Sequence, residues 1–259
     1  MPLILPIHDA GDERLRLYRN VRDRDLTGRD GLFMAEGQVV LERLFRSKFC
    51  VCMSVLTTYN RLKNLDILWL DASTPIYIVA EDMMADIVGF DIHRGYLALG
   101  RYINPGITNI LTSPKSLRIV ALSAIANVDN MGGLMRNAAA FGTDAVLIDR
   151  ACCDPLYRKA IRVGVGGVFH VPHFRVDDLI GTLSAFGITP YALSPSGTAA
   201  LDDIMPSDRC AFVFGAEGPG LAPAVLGACT SVRIAMSGGF DSLNVATTSG
   251  IVLYHMCRR

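Results

Sequence analysis

The stretch from Arg233 to Tyr254, RIAMSGGFDSLNVATTSGIVLY, decides how this 259-residue chain is read. It opens on a short apolar run, breaks at Ser237-Gly238-Gly239-Phe240-Asp241-Ser242, and closes on small and apolar residues that read as a helix. A strand, a glycine turn and a helix start, in that order, make a ligand loop, because the free amides of the turn and of the first helical residues face outward together. SGGFDS also fits the Ser-Gly-Gly-x-Asp-Ser pattern of loops that grip phosphate, so the first question is which ligand it serves.

Position argues against phosphate. In ATP pyrophosphatases such a loop stands near the start of a nucleotide-binding sheet, so that later strands complete the pocket. Here only 17 residues follow Ser242, and they form the last helix. A G-x-x-x-x-G-K-[ST] loop occurs nowhere in the chain. The one candidate for a dinucleotide turn, RVGVGGVFH from Arg162 to His170, follows a basic helical segment where that motif needs a strand. Gly164, Gly166 and Gly167 there read as a helix end turning into a short strand.

Upstream, apolar strand-like runs alternate with helical patterns. The strands are RIVALSAI from Arg118, DAVLID from Asp144, ITPYALS from Ile188, CAFVFG from Cys210 and SVRIAM from Ser231. Helices are expected to start near Gly132, Pro155, Asp177, Ala222 and Ser242. Strict alternation with continuous apolar strands predicts an α/β domain with a parallel sheet covered on both faces. Asn-Pro-Gly and Ser-Pro between Arg101 and Ser116 are loop signals that divide the chain. The expected domains are 1–105 and 118–259, with 106–117 as a linker. Residues 18–48 read as a helix, a glycine-marked turn and a second amphipathic helix, and CVCMSVL, LDILWL and TPIYIVA read as strands, giving a small mixed domain. Its arginines Arg14, Arg16, Arg19, Arg22, Arg24 and Arg29 lie among acids and read first as a solvated face, with an RNA-contacting arm as the sharper alternative.

Composition narrows the function classes. Residues 1–100 carry 12 Lys and Arg against 14 Asp and Glu, and residues 101–259 carry 13 against 11, so neither half is a polybasic tail and any nucleic acid must meet local patches. The seven cysteines form no C-x-x-C pair, which predicts reduced thiols and no zinc site. The N-terminus lacks a basic segment ahead of an apolar one, so no signal peptide is expected. No apolar run approaches the roughly 20 residues of a membrane-spanning helix. A cytoplasmic protein without metal or membrane partner is the expectation.

Three junctions at strand ends remain, where open α/β sheets bind ligands. Asn127, Asn130, Gly132, Arg136, Phe141 and Gly142 meet the pattern N-x-x-N-x-G-x-x-x-R-x-x-x-x-F-G. Gly215, Glu217, Gly218, Gly220 and Leu221 meet F-G-x-E-G-x-G-L, and Ile234, Met236, Gly238, Ser242, Leu243, Asn244 and Val245 meet I-x-M-x-G-x-x-x-S-L-N-V. In this order the three resemble the signature motifs of the SpoU/TrmH-type RNA ribose 2′-O-methyltransferases of the SPOUT class. FMAEGQVVLERL and DIHRGYLALG also look like the small L30e-like mixed α/β substrate-binding domain that precedes the catalytic domain in the ribosomal-RNA branch. Val128, Gly133 and Asn137 stand where the family usually has proline, alanine and threonine, and His255 stands near an acidic position of the last helix.

The resemblance implies a C-terminal trefoil knot, S-adenosylmethionine as cofactor, RNA as substrate with ribosomal RNA favoured over transfer RNA, and a homodimer. It implies cofactor contacts at Gly215, Ile234, Met236, Leu243 and Ser194, largely through backbone atoms. Arg136 becomes the central catalytic residue, with Asn130, Glu217, Ser242 and Asn244 as orienting partners. The family reading makes Arg136 the proton acceptor, whereas a guanidinium that stays protonated near neutrality suits a clamp on phosphate and developing alkoxide. Arg158, Lys159 and Arg162 share one helix, and the four-residue spacing of Arg158 and Arg162 suits a phosphate-contacting ridge. Two alternatives stand beside this reading: a non-catalytic RNA-binding protein on the same fold, and an ATP pyrophosphatase. Taken singly, Asn130 and Ser242 would read as helix caps and Glu217 as a loop-amide acceptor.

Overall fold

A computed structural model describes residues 2–19, 26, 31–88, 95–237 and 242–257. Its contacts divide the chain into two units, Met1–Ile103 with Leu156–His170, and Asn104–Pro155 with Val171–Arg259.

The first unit is a five-stranded mixed sheet built from β1 (Leu3–Pro6), β2 (Leu32–Glu36), β3 (Cys50–Thr58), β4 (Pro75–Val79) and β5 (Tyr96–Tyr102), in the order β1-β4-β3-β5-β2. β5 runs antiparallel to both β2 and β3. Helices α1 (Gln38–Phe45), α2 (Tyr59–Leu62) and α3 (Glu81–Val88) accompany it. Leu26, Met34, Leu56, Ile87, Leu97 and Leu99 meet in its core. Two readings are corrected here. The expected second helix is preceded by strand β2, because Phe33, Met34 and Ala35 are all buried and paired with β5, and Gly37 separates them from α1. LDILWL is no strand: Leu65 and Leu70 point inward while Leu68 and Trp69 point to solvent, and its backbone bonds close turns such as Leu70 N to Ile67 O. Of the six N-terminal arginines, Arg22, Arg24 and Arg29 lie outside the described residues. Arg14 pairs with Asp12 at 2.6 Å, so local acids occupy at least that cation.

The second unit opens at α4 (Ile107–Leu111), so the expected loop 106–117 carries a short helix; Leu111 is fully buried among the core side chains of this unit. Arg209 fixes the segment by donating to the carbonyls of Leu111, Ser113 and Lys115. Then follow β6 (Leu117–Leu122), α5 (Val128–Ala140), β7 (Ala145–Ile148), α6 (Arg158–Val163), β8 (His173–Arg175), α7 (Leu179–Ala185), β9 (Thr189–Leu193), β10 (Ala199–Ala200), β11 (Arg209–Phe214), α8 (Pro223–Gly227), β12 (Thr230–Arg233) and α9 (Val245–Cys257). The seven strands form one sheet in the order β10-β12-β9-β11-β6-β7-β8, and every pairing is parallel. β6, β7 and β11 are buried along almost their whole length, as a sheet covered on both faces demands. The carboxyl ends of β12, β9, β11 and β6 therefore stand side by side.

Helix α6 groups with the first unit, where it packs on β2. Arg162 lies 3.3 Å and Arg158 4.0 Å from the carboxylate of Glu36, whose side chain is only 2% exposed. A buried carboxylate needs such partners, because leaving it uncompensated costs several kcal/mol, on the order of 3–5. Gly164 ends α6, Gly166 turns at φ 73°, and Gly167 starts a 3-10 turn ahead of β8, the helix-to-strand turn expected of these glycines.

His173 on β8 is 7% exposed, and burial together with the Arg175 charge pushes its imidazole down to about 3. Such a group folds neutral. Its contribution is complete above the unfolded value of about 6.5 and falls away below it, by about 1.4 kcal/mol per pH unit until the folded value is reached. Between pH 7 and pH 5 the loss from this one residue comes to about 2 kcal/mol. Denaturant melts of wild type and His173→Phe at both pH values should differ in acid sensitivity by that amount, and equal sensitivity would contradict a neutral buried His173.

Candidate active site

At the joined strand ends of the second unit lies a cavity of about 510 Å³. Its walls come from the ends of β9 (Leu193, Ser194, Pro195), β11 (Phe214 to Glu217) and β12 (Val232, Ile234, Met236), and from Ser242 to Val245 at the start of α9. The site exists because parallel pairing sets these four chain turns next to one another.

The turn after β11 is tight enough to dictate its residues. A Cβ on Gly215 would sit 2.6 Å from the carbonyl carbon of Gly220 and the amide of Leu221, so only glycine allows this backbone approach. The Gly220 amide donates to the Ala216 carbonyl at 3.1 Å, closing the loop that presents Glu217.

Asn244 joins the three motifs. Its Nδ2 donates to Asn130 Oδ1 at 2.8 Å and to Glu217 Oε1 at 2.7 Å. Its Oδ1 accepts from the amides of Ala246 and Thr247 at 2.9 and 3.3 Å, capping α9. Asn130 is buried, and Asn127 caps α5 by accepting from the amides of Asp129 and Asn130. The caps are thus Asn127 and Asn244 in place of the Asn130 and Ser242 expected in that role, and each is worth about 1 kcal/mol. Capping uses only the oxygen of Asn244. Its nitrogen is committed to two side chains from other elements, which a cap does not require.

The launch of α5 is fixed from β7. Asp149 accepts from Ser123 Oγ at 2.8 Å and from the amides of Ala124, Ala151 and Cys152. Burial pushes the Asp149 carboxyl up, but these donors outweigh it and hold it below the ordinary range. Ala124 is held at φ 56°, a conformation rare for a residue with a Cβ. Asp149 was not singled out in the sequence, where it is one acid after an apolar run; only its partners mark it.

The last helix is pinned on α5 by the departures from the family pattern. Asn137 Nδ2 donates to the Ala246 carbonyl at 2.7 Å and to Ser249 Oγ at 2.9 Å. A Cβ on Gly133 would meet the Ala246 Cβ at 2.6 Å, so glycine at 133 accommodates alanine at 246. His255 lies 3.8 Å from Asp202 on the far end of α9 and lines no part of the cavity.

The structure brings Asn130, Glu217 and Asn244 into one hydrogen-bonded group, with Ser242, Leu243, Gly215, Ile234, Met236 and Ser194 lining the cavity beside it. Gly238 and the rest of 238–241 lie outside the described residues. Arg136 is exposed and does not line the cavity. Six residues along a helix is about 240° of rotation and 9 Å of rise, so the face that buries Asn130 is not the face that carries Arg136. Arg158 and Arg162 face Glu36, and Lys159 is exposed on the same helix. Pro195 and Thr248 also line the cavity and carry no sequence signal, since nothing but their place at a strand or helix end distinguishes them, and Phe214, the aromatic that opens the second motif, lines it too.

Residues 117–254 match the model of the SpoU rRNA Methylase family. An uncharacterized tRNA/rRNA methyltransferase of Mycobacterium tuberculosis is 35% identical over 96% of this chain and 90% of its own length. A 23S rRNA (guanosine-2′-O-)-methyltransferase of Acinetobacter baylyi is 30% identical over 70% of this chain and 77% of its own. Among solved structures, the AdoMet-bound rRNA methyltransferase of Sinorhizobium meliloti superposes with a TM-score of 0.79 at 20% identity, covering 98% of both chains. That likeness concerns the fold.

Proposed function

Because the chain belongs to the SpoU rRNA methylase family, we propose that it transfers a methyl group from S-adenosylmethionine to a ribose 2′-hydroxyl of structured RNA, ribosomal RNA foremost. The observation that carries this reading is the Asn130–Asn244–Glu217 group beside the cavity, which unites one polar residue from each motif. The curated 23S rRNA relative of Acinetobacter baylyi favours ribosomal over transfer RNA.

The cavity fits the cofactor. Its volume of about 510 Å³ falls within the range of small-molecule sites, its walls include Leu193, Phe214 and Leu243 for an aromatic base, and Glu217 offers a carboxylate to a cationic ligand. Gly215, Ile234, Met236, Leu243 and Ser194 would hold it, mainly through backbone groups, so shape matters more there than side-chain identity. When bound, the sulfonium supplies an electrophilic methyl group.

The protein's task is then to bring one 2′-oxygen into line and make it nucleophilic. Asn130, Asn244, Glu217 and Ser242 form the polar network that orients it. Arg136 acts as a fixed positive charge, because a guanidinium stays protonated near neutral pH; it clamps an RNA phosphate and favours the developing alkoxide. Arg158, Lys159 and Arg162 add RNA contacts on α6, with Glu36 holding two of them in place.

Three finer features belong to the same reading. The C-terminal part of the second unit forms the trefoil knot of the SPOUT class. Residues 1–105 form the L30e-like substrate domain. The chain works in the cytoplasm as a homodimer, for which Ile251 and Tyr254 leave exposed apolar surface on α9 beside Phe141. Light scattering at micromolar concentration should give twice the chain mass, and a monomer would contradict the dimer.

Arg136→Ala should retain S-adenosylmethionine binding by calorimetry and lose methyl incorporation into RNA by about 10²-fold or more, the scale of a lost positioned charge. Arg136→Lys should restore little, since a point charge does not replace a planar fork. Near-normal transfer by Arg136→Ala would remove it from the chemistry, and lost cofactor binding would make its role structural.

A further inference from the structure

We propose that the segment Tyr59–Leu70 of the first unit, lying along α1, is a stacking surface for unpaired RNA bases, with Tyr59 and Trp69 as its two platforms; this rests on the reading of the chain as acting on RNA. Both rings face solvent, Tyr59 at 65% and Trp69 at 58% exposure. Each has a cation over one face: Lys63 Nζ lies 4.9 Å from the Tyr59 ring centroid and the Arg46 guanidinium 5.7 Å from that of Trp69.

The exposure is built in. Leu65 and Leu70 are buried and anchor the segment, so Trp69 is not needed to hold it down. Gln38 Nε2 donates to the Asn64 carbonyl at 2.7 Å, the Asp66 amide donates to Glu42 Oε1 at 3.3 Å, and Arg46 pairs with Asp66 at 2.7 Å. Gln38 and Glu42 share one face of α1 and Arg46 follows as its C-terminal cap, so Asn64 to Asp66 run beside that face. Trp69 therefore stands by Arg46 at the C-terminal end of α1, and Tyr59 lies five residues ahead of the Asn64 carbonyl that Gln38 holds at the start of that helix.

Charge distinguishes RNA from a protein partner. Residues 42–69 carry five Lys and Arg against two Asp and Glu in a chain of zero net charge. Protein interfaces deplete charge at their apolar centres, whereas single-stranded nucleic acid is held by aromatic platforms interleaved with cations that meet the phosphates. Stacking is tolerant of base identity, so this surface would hold a loop or splayed strand and leave the choice of nucleotide to other contacts.

Trp69 is the chain's single tryptophan, so its fluorescence reports on this surface alone. Titrating the full chain with an unstructured uridine-rich oligoribonucleotide should quench that emission in step with binding followed by anisotropy of the labelled RNA. Trp69→Ala and Tyr59→Ala should each weaken binding by about 10-fold, and Trp69→Phe should retain most of it. S-adenosylmethionine calorimetry and thermal melts should be unchanged in all three. RNA that binds and is methylated without altering Trp69 emission, or that binds both alanine variants normally, overturns this surface and leaves the methyl-transfer reading intact. Absence of any RNA binding by the wild type overturns both. An emission change that depends on protein concentration without RNA would assign the surface to a protein contact instead.

Discussion

One side-chain amide holds the candidate site together. Asn244 presents its nitrogen to Asn130 and Glu217 and its oxygen to the first amides of α9, so a single planar group reaches all three motif segments and starts the last helix. Each bond alone is worth about 1 kcal/mol, too little to fix a fold. Their importance is geometric, because Asn130 and Glu217 lie 114 and 27 residues from Asn244 in sequence. The parallel sheet makes the meeting possible by aligning the ends of β6, β9, β11 and β12. The Asn137 bonds to Ala246 and Ser249 then keep α9 in register with α5.

The same geometry separates what belongs to the cavity from what stands away from it. Asn130 and Arg136 are motif partners on one helix, yet one is buried beside Asn244 and the other is exposed. A helix cannot turn both toward one point at that spacing. Arg136 therefore meets its substrate as an exposed cation, which suits a group that must contact a phosphate backbone arriving from solution.

Much of the second unit was legible because its signals are local. β6, β7 and β11 are nearly continuous apolar runs bounded by turn residues, β9 and β12 lie within or beside shorter apolar runs, and glycines mark the loop after β11. The three-residue β8 was announced only by the glycines before it, and the two-residue β10 not at all, since strands that short carry no periodicity and form only because a neighbour offers them a ladder. In the first unit, local and tertiary signals conflict. Phe33 to Ala35 resemble a helix start but complete a sheet edge, and Leu65 to Leu70 have strand composition but fold as a loop. Arg158 and Arg162 illustrate a further limit: their helix was visible, but the buried Glu36 that receives them is more than 120 residues away in sequence. The candidate site was legible residue by residue for Asn130, Glu217, Ser242 and Asn244, whereas Asp149 acquires its part only through donors from its own turn and from the Ser123–Ala124 turn 25 residues upstream.

The proposed activity stands or falls on the chemistry at the ribose oxygen. The most direct measurement incubates the purified chain with tritiated S-adenosylmethionine and ribosomal RNA, then hydrolyses the product in alkali. Alkaline cleavage needs a free 2′-hydroxyl, so a methyl on that oxygen protects its own linkage. Transfer to a ribose 2′-oxygen leaves the label in alkali-stable dinucleotides. Label recovered in mononucleotides would place the methyl on a base, and absence of label would deny the transfer altogether.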